Sequence, residues 1–205
     1  MEWYMYLAVI AAGLFAGFVN TLAGSGSLIT LPLLMFLGLP ANIANGTNRI
    51  GVMVQSIVSS VSFKKQKLYT VREGLWLSGP AIAGALLGSL IAVRINERIM
   101  ELLIGGLLIF MFFIILYRPE QWVRDHAQSV TLRHRFWVPV IFFFIGIYGG
   151  FIQAGVGFFL LAALVLGAGL GLTRANAHKV LIVAAMTAIA LVVFIISDQD
   201  YYMYG

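Results

Sequence analysis

Long apolar runs alternate with short glycine-rich or charged stretches along this chain, and the alternation predicts a series of helices. Four of the runs approach or exceed the roughly 18–20 residues that cross the hydrocarbon core of a bilayer as an α-helix. They cover residues 3–22, 74–93, 102–117 and 136–153. A last apolar helix is predicted from about Arg174 to Ser197. The pattern predicts an all-α membrane protein, a polytopic helical bundle.

Two further apolar segments are too short for standard membrane crossings, and each follows a glycine-rich break. The break at residues 23–27 precedes a segment at 27–37, and the break at 155–157 precedes one at 158–168. Glycine interrupts helices because it lacks a Cβ and readily adopts positive φ angles. Each short segment is therefore a half-helix, a tilted span or a re-entrant piece.

The helix that follows the first short segment is polar for a membrane span. A turn at residues 38–40 precedes it, and Asn42 or Asn45 is predicted to cap a helix that reaches Phe63. Its early part carries Thr47, Asn48, Arg49, Gln55 and Ser56. Lipid does not tolerate such a face, so we expect it to point into the bundle or into a wet cavity.

Small residues recur at helical spacing in the span over residues 74–93. Gly84 and Gly88 form a small-xxx-small pair there. Such pairs let two helix backbones approach closely, because no side chain separates them. We predict close helix packing at this pair rather than a role in binding substrate.

The composition excludes a soluble domain and narrows the available chemistry. The chain is 61% hydrophobic and 10% charged, with a mean hydropathy of +0.96, which leaves too few charges to cover a water-exposed surface. It contains no cysteine, so disulfides and thiolate metal sites are excluded. His126 and His134 have no further ligands near them in sequence, so no metal site and no cofactor is predicted.

The formal charge of +5 and the pI near 9.7 raise nucleic-acid binding as an alternative. The cations instead gather in loops between the apolar runs, without a basic stripe or a recognised nucleic-acid motif. We therefore predict no nucleic-acid partner. The positive-inside rule places the cationic loops at 64–73 and 118–135 on the cytoplasmic side of the membrane.

The two halves of the chain resemble each other. Residues 17–20 (Gly-Phe-Val-Asn) resemble 150–153 (Gly-Phe-Ile-Gln), and Gly155 lies 131 positions after Gly24. The same offset pairs Gly38 with Gly169, Ala44 with Ala175 and Asn45 with Asn176. The helix breaks align between the two halves, and so do the residue types, and together they predict an internal duplication.

The duplication divides the chain into three parts. Residues 1–117 form a first transmembrane repeat of about five helical elements, including the short one at 27–37, and 118–135 form a cytoplasmic linker. Residues 136–205 form a second repeat, which ends before counterparts of the last two helices. The chain is therefore either a fragment or a shortened protein whose missing walls come from another subunit, and we favour a shortened chain. The second alternative predicts a homo-oligomer. The repeats are inverted if the short segments cross the membrane and parallel if they are re-entrant.

Two stretches carry a family resemblance that covers essentially the whole chain. Residues 17–34 with 38–40 and 44–48, and the second copy at 149–158 with 175–179, resemble the TauE/SafE or sulfite exporter family. The resemblance implies a multi-pass protein of the cell inner membrane with duplicated halves. It also implies transport of small sulfur-containing or related organic anions, such as sulfite and sulfonates.

Broken, polar segments at matching places in two repeats are where a transporter is expected to bind its substrate. Free N–H groups and the positive end of the helix dipole can bind an anion there, and glycine lets the backbone approach the anion closely. Hydroxyl and amide side chains add hydrogen-bond donors. Arg49 would add the forked donor set of a guanidinium, Lys179 a point charge, and His178 a ring that titrates near neutral pH. The glycines could instead serve packing only, and the cations could reach an interface. The candidates are Asn20, Gly24, Ser25, Gly26, Ser27, Thr47, Asn48, Arg49, Gln153, Gly155, Gly157, Asn176, His178 and Lys179.

Three function classes were compared on these residues. A secondary anion transporter accounts for the paired broken segments. A membrane-embedded enzyme is not predicted, because the chain has no His-Glu-x-x-His motif, no Gly-x-Ser-x-Gly motif and no paired acids within a span. A non-transporting membrane scaffold, or a partial transporter that depends on oligomerisation, is the alternative.

Overall fold

A computed structural model describes residues 3–69, 71–117 and 137–204, and the regular secondary structure of these residues is helical throughout. The predicted linker at 118–135, with His126 and His134, lies outside the described residues. The helices are α1 (Trp3–Ala23), α2 (Ser27–Phe36), α3 (Ala41–Lys65), α4 (Val71–Ala92), α5 (Glu97–Tyr117), α6 (Trp137–Phe151), α7 (Val156–Ala162), which continues as a π-helical turn (Ala163–Gly167), and α8 (Leu172–Tyr204).

The helices carry the surface expected of a membrane protein. Among the side chains that are described, the segment Leu172–Ser197 is long and apolar enough to span a bilayer. Large apolar side chains are exposed on the outer faces of several helices, including Phe15 on α1, Val54 on α3, Phe110 on α5 and Ile195 on α8. Lipid accepts such faces and water does not. The predicted all-α membrane fold is confirmed.

The two short helices lie where the glycine-rich breaks predict them. Helix α2 has 10 residues, about 15 Å at a rise of 1.5 Å per residue, which is half the thickness of a bilayer core. Gly24 and Gly155 precede the short helices with φ angles of 74° and 72°, and Gly38 and Gly169 follow them with 91° and 67°. The internal duplication stays a prediction, and these matching backbone conformations support it.

The start of α3 differs from its prediction. Pro40 occupies the N-cap position and no side chain caps the helix, so the assignment of the cap to Asn42 or Asn45 was wrong. The amide of Asn42 donates to the Ile95 carbonyl, and that of Asn45 to the Phe151 carbonyl. Both amides are used in contacts with other parts of the chain, which sequence-local capping rules cannot anticipate.

Helices α4 and α6 pack backbone to backbone, as the small-residue pair predicted. A Cβ on Gly84 would meet the Phe143 carbonyl, and one on Gly88 would meet the carbonyl of Ile147. The fit is reciprocal, because a Cβ on Gly146 of α6 would meet the Ala81 carbonyl. Close packing at Gly84 and Gly88 is therefore confirmed. This interface joins the two halves of the chain and holds the broken segments in place.

Candidate functional site

The two chain breaks meet at a pair of glycines. A Cβ on Gly24 would lie against the Gly157 backbone, and a Cβ on Gly157 would lie against the Gly24 backbone. No other residue type fits either position while the backbones stay this close. The end of α1 and the start of α7 are therefore in direct contact.

Two adjoining cavities lie beside this contact. The inner cavity is small, about 10 Å³, close to the space one water molecule needs. Both halves of the chain line it: Asn20, Gly24, Ser27, Val52, Gln55, Ser56, Gln153, Val156, Gly157, Lys179, Val180 and Val183. The outer cavity, about 130 Å³, is lined only by α1, α2 and α3. Its residues are Gly13, Ala16, Gly17, Asn20, Gly26, Ser27, Thr30, Asn48, Gly51, Val52 and Gln55.

Lys179 supplies the positive charge of the inner cavity. Its side chain is 1% exposed, and Nζ donates to the carbonyl oxygens of Asn20 at 3.3 Å and Thr21 at 3.1 Å. These carbonyls belong to the last turn of α1, where a cation offsets the negative end of the helix dipole. An ammonium group has three donors, and two of them are used here. The cation is thus both a cap of α1 and a wall of the cavity.

A chain of amides and hydroxyls fixes the wall that the two cavities share. Asn20 Nδ2 donates to Gln55 Oε1 at 2.8 Å, and Gln55 Nε2 donates to Thr21 Oγ1 at 2.8 Å. The Thr21 hydroxyl lies 3.2 Å from that of Ser59 and donates to the Gly17 carbonyl at 3.0 Å. Because Gln55 is held at both ends of its amide, its position between α1 and α3 is set.

Two buried amides at the cavities have unpaired atoms. Gln153 Nε2 donates to Thr187 Oγ1, whereas Oε1 has no hydrogen-bond partner within the described part of the chain. Asn48 Oδ1 accepts from Thr30 Oγ1, whereas Nδ2 has no such partner. Gln153 also has a φ of 67°, a left-handed conformation that is strained for a residue with a Cβ. Unpaired buried polar atoms and backbone strain both concentrate at functional sites.

The electrostatic balance of the two cavities is positive. Among the acidic residues whose side chains are described, Glu97 and Glu101 are both exposed on α5, and neither lines a cavity. Of the lining residues that the structure describes, Lys179 is the charged one at the inner cavity, and those at the outer cavity are uncharged. Within the same described residues, no group of three or more histidine, aspartate or glutamate side chains could hold a metal ion. The arrangement suits a small anion.

Arg49 occupies a separate buried position. Its guanidinium donates to the carbonyls of Gly150 at 2.7 Å, Phe151 at 3.2 Å and Gly149 at 3.3 Å, at the end of α6. It also lies 4.5 Å from the centre of the Phe194 ring, a cation–π contact. Arg49 is 0% exposed and lines neither cavity. The geometry therefore makes it a cap of α6 rather than a donor to a molecule in either cavity.

The structure brings a subset of the predicted site residues together. Those that line a cavity are Asn20, Gly24, Gly26, Ser27, Asn48, Gln153, Gly157 and Lys179. Those that line neither cavity are Ser25, Thr47, Arg49, Gly155, Asn176 and His178.

Helix geometry explains two of the outlying positions. Thr47 is exposed and shares its helix face with Ile43, Ile50 and Val54, which are exposed at spacings of three and four residues. Adjacent residues on a helix point about 100° apart. His178 accordingly faces away from Lys179, contacts the Arg174 carbonyl at 2.8 Å, and lies edge-on to the ring of Tyr69. Neither side chain reaches the cavities.

Sequence reasoning left some lining residues out of the candidate set. Gln55 and Ser56 were assigned to a face that points inward, but they were not counted among the binding residues. They continue the spacing of three and four residues from Asn48 through Val52 on α3, and this spacing could have found them. Thr30 is one turn of α2 beyond Ser27 and carries the same signal.

Comparisons with known proteins agree with this architecture. The sequence model of the family described as "Sulfite exporter TauE/SafE" matches residues 9–204. A "Probable membrane transporter protein ORF9" of Sinorhizobium sp. is 27% identical over 180 residues, 87% of this chain and 67% of that protein. A "Probable membrane transporter protein" of Haemophilus influenzae is 26% identical over 200 residues, covering 97% and 78%. "Probable membrane transporter protein YfcA" of Escherichia coli K12 is 27% identical over 188 residues, covering 90% and 68%. No solved structure gave a significant match.

Proposed function

The chain belongs to the TauE/SafE sulfite exporter family of membrane transporters, and we propose that it moves small sulfur-containing or organic oxyanions through the two cavities. It is not an enzyme. We also propose that it is a multi-pass protein of the cell inner membrane, with the substrate path between its two predicted repeats.

The observation that carries the proposal is the position of Lys179. Its ammonium group is buried in an apolar bundle and touches neutral carbonyl oxygens, and no described carboxylate lines its cavity. An ionised group in such surroundings is costly without a counter-charge, and ionisable residues at membrane depth therefore point to substrate or ion pathways. A substrate anion supplies the missing charge once the inner cavity widens, because its present volume of about 10 Å³ holds only about one water molecule.

The neutral donors around Lys179 support an oxyanion as the substrate. Gln55, Ser27 and Ser56 line the same cavity and offer amide and hydroxyl hydrogens. A sulfite or sulfonate group presents three oxygens, which can accept from several such donors at once. The cavity linings described contain no acidic residue to pair with an ammonium group on the substrate. This favours plain anions over zwitterions.

The test is flux of labelled sulfite into proteoliposomes that contain the purified protein. We expect saturable flux, and Lys179→Gln lowers the flux at sub-saturating sulfite by at least tenfold because the charge is lost. Glutamine still donates to carbonyls, so the end of α1 keeps a partner. Lys64→Gln is the matched control, because Lys64 is exposed at the end of α3, and we expect it to leave flux unchanged.

Two outcomes would contradict the proposal. Folded wild-type protein that moves neither sulfite nor short sulfonates would remove the substrate class and favour the scaffold alternative. Saturable flux that Lys179→Gln leaves unchanged would keep the transporter and remove Lys179 from the path.

A further inference from the structure

We propose that the outer cavity is a separate anion-binding station, built from the N-terminus of α2 and the amide of Asn48, where a small oxyanion binds before it reaches Lys179. The inference rests on the proposed function and adds a second site to it. The described lining of this station is neutral, whereas the inner one carries the Lys179 ammonium group.

The first component is the start of α2. The N–H groups of residues 28–30 donate to the Ser25 and Gly26 carbonyls. What this helix start offers an anion is therefore the Ser27 N–H together with the positive end of the helix dipole. Gly26 is the N-cap residue of α2, and no side chain caps the helix. Gly26 and Ser27 both line the outer cavity. A Cβ on Gly26 would meet the side chain of Asn20 and the Ala16 carbonyl, so only glycine lets this helix end pack this closely against α1.

The second component is the buried amide of Asn48. The side chain is 5% exposed and lines the outer cavity. Thr30 Oγ1 donates to its Oδ1, which assigns the other end of the amide as Nδ2. That Nδ2 has no acceptor within the described residues, although its two hydrogens make it a donor. A buried donor without an acceptor is unfavourable, and an oxyanion in the cavity provides one.

The second half of the chain has a different side chain at the position equivalent to Asn48. At the offset of 131 that relates Gly24 to Gly155, the counterpart of Asn48 is Lys179. The start of α7 lines the inner cavity with Val156 and Gly157, and Gly157 also packs against the Gly24 backbone. One half thus presents an amide to a cavity of about 130 Å³, and the other presents an ammonium group to a cavity of about 10 Å³.

The lining defines the ligand class of the outer station. The described residues of the lining are glycines, apolar residues, hydroxyls and amides, and none of them is charged. Donors at a helix end favour an anion with exposed oxygen atoms, and the absence of a charged donor predicts weaker binding than at Lys179. Asn20, Ser27 and Gln55 line both cavities, so an anion can pass from one set of donors to the other along a shared wall.

The decisive experiment measures sulfite binding to purified protein by isothermal titration in a Lys179→Gln background, which removes the charge of the inner station. We expect weak sulfite binding to persist there and to fall at least tenfold when Asn48→Asp is added. Aspartate has the size of asparagine and still accepts from Thr30, but it lacks the donor and repels an anion. Asn96→Asp is the matched control, because Asn96 is exposed and uses only its Oδ1, as an acceptor from the Ile99 N–H.

Flux measurements separate this inference from the proposed function. In otherwise wild-type protein, we expect Asn48→Asp to raise KM for sulfite at least fivefold with kcat within twofold. Saturable wild-type flux with an unchanged KM in Asn48→Asp would overturn the outer station and leave the transporter. If the wild-type protein shows no flux, the titration still tests the outer station. The station is overturned if the Lys179→Gln protein does not bind sulfite. It is also overturned if adding Asn48→Asp leaves that binding unchanged. Asn48→Ala, which removes the donor without adding a charge, replaces Asn48→Asp if the latter does not fold.

Discussion

The two helix breaks of this protein are built from similar residues but have different roles. In the first, α1 stops at Gly24 and its last turn is capped by Lys179 of α8. In the second, α6 stops before Gln153 and Gly155, and its last turn is capped by Arg49 of α3. The exchange is reciprocal, because the third helix of each half caps the broken helix of the other.

The second break is locked by its surroundings. Residues 152–157 are all buried, and Arg49 donates to three successive carbonyls at the end of α6. The hydroxyl of Tyr148 donates to the Ala154 carbonyl within the break. These contacts hold the strained backbone of Gln153 in a single conformation. Neither Arg49 nor Gly155 lines a cavity.

The first break is open by comparison. Gly24, Gly26 and Ser27 line the cavities, and the capping cation lines one of them. Lys179 holds α1 through two carbonyls, and an anion competes with those carbonyls for the same ammonium group. Arg49 donates to three backbone carbonyls away from both cavities, and its Nε has no partner within the described residues. The comparison teaches that a buried cation at a helix end is structural when no cavity reaches it, and available for substrate when one does.

The largest expected effect is that of Arg49→Met on stability. The substitution leaves the carbonyls of Gly149, Gly150 and Phe151 without their donor, and each buried unpaired group costs about 1–3 kcal/mol. We expect a large loss of folded, monodisperse protein after heating in detergent, followed by fluorescence-detected size exclusion. Arg94→Met at the exposed end of α4 is the control.

Flux separates the two roles of Arg49. Whatever folded Arg49→Met protein remains is expected to keep a wild-type KM for sulfite, because Arg49 lines no cavity. Normal stability together with a KM raised tenfold would instead place Arg49 at the substrate and reverse the comparison.

A smaller effect is expected for Gly24→Ala. An alanine at a φ of 74° costs about 1–2 kcal/mol in backbone energy alone, and its Cβ would also press on the Gly157 backbone. Gly38→Ala is the matched variant, because Gly38 has a φ of 91° but nothing within 4 Å of the added Cβ. Thermal melting should show a greater loss for Gly24→Ala than for Gly38→Ala. Equal losses would mean that the contact between the two breaks contributes nothing beyond glycine's φ angle.

The smallest expected effect is that of Tyr148→Phe. The substitution leaves one buried carbonyl, that of Ala154, without this donor, at a cost of about 1–3 kcal/mol, whereas Arg49→Met leaves three, so the melting temperature falls only modestly. KM and kcat for sulfite stay at wild-type values, since the second break is locked by several other contacts. A changed KM would show that the second break also moves during transport.

Much of the fold could be predicted from the sequence, because hydrophobic runs and glycines act locally. Run lengths predicted the helices, and paired glycines predicted both breaks and the short helices between Gly24 and Gly38 and between Gly155 and Gly169. The N-cap of α3 could not be predicted in this way, since the amides of Asn42 and Asn45 are used on distant carbonyls.

The candidate site was predictable as a set of residue types and only partly as a set of positions. Asn20, Ser27, Asn48 and Lys179 follow from their polarity beside glycine-rich breaks, and the structure places all four at the cavities. The domain boundaries, the orientation of the two repeats and a homo-oligomer stay predictions.

Only the tertiary structure decided which of the two buried cations caps a helix away from the cavities and which one lines a cavity. In the sequence Arg49 and Lys179 are similar, because each is a cation near the start of a helix that follows a short one, although the offset of 131 pairs Lys179 with Asn48. The folded chain sends the Arg49 guanidinium to the end of α6 and leaves the Lys179 ammonium at a cavity wall. A side chain's partners across the bundle depend on how distant helices pack, and periodicity in one helix carries no information about that packing.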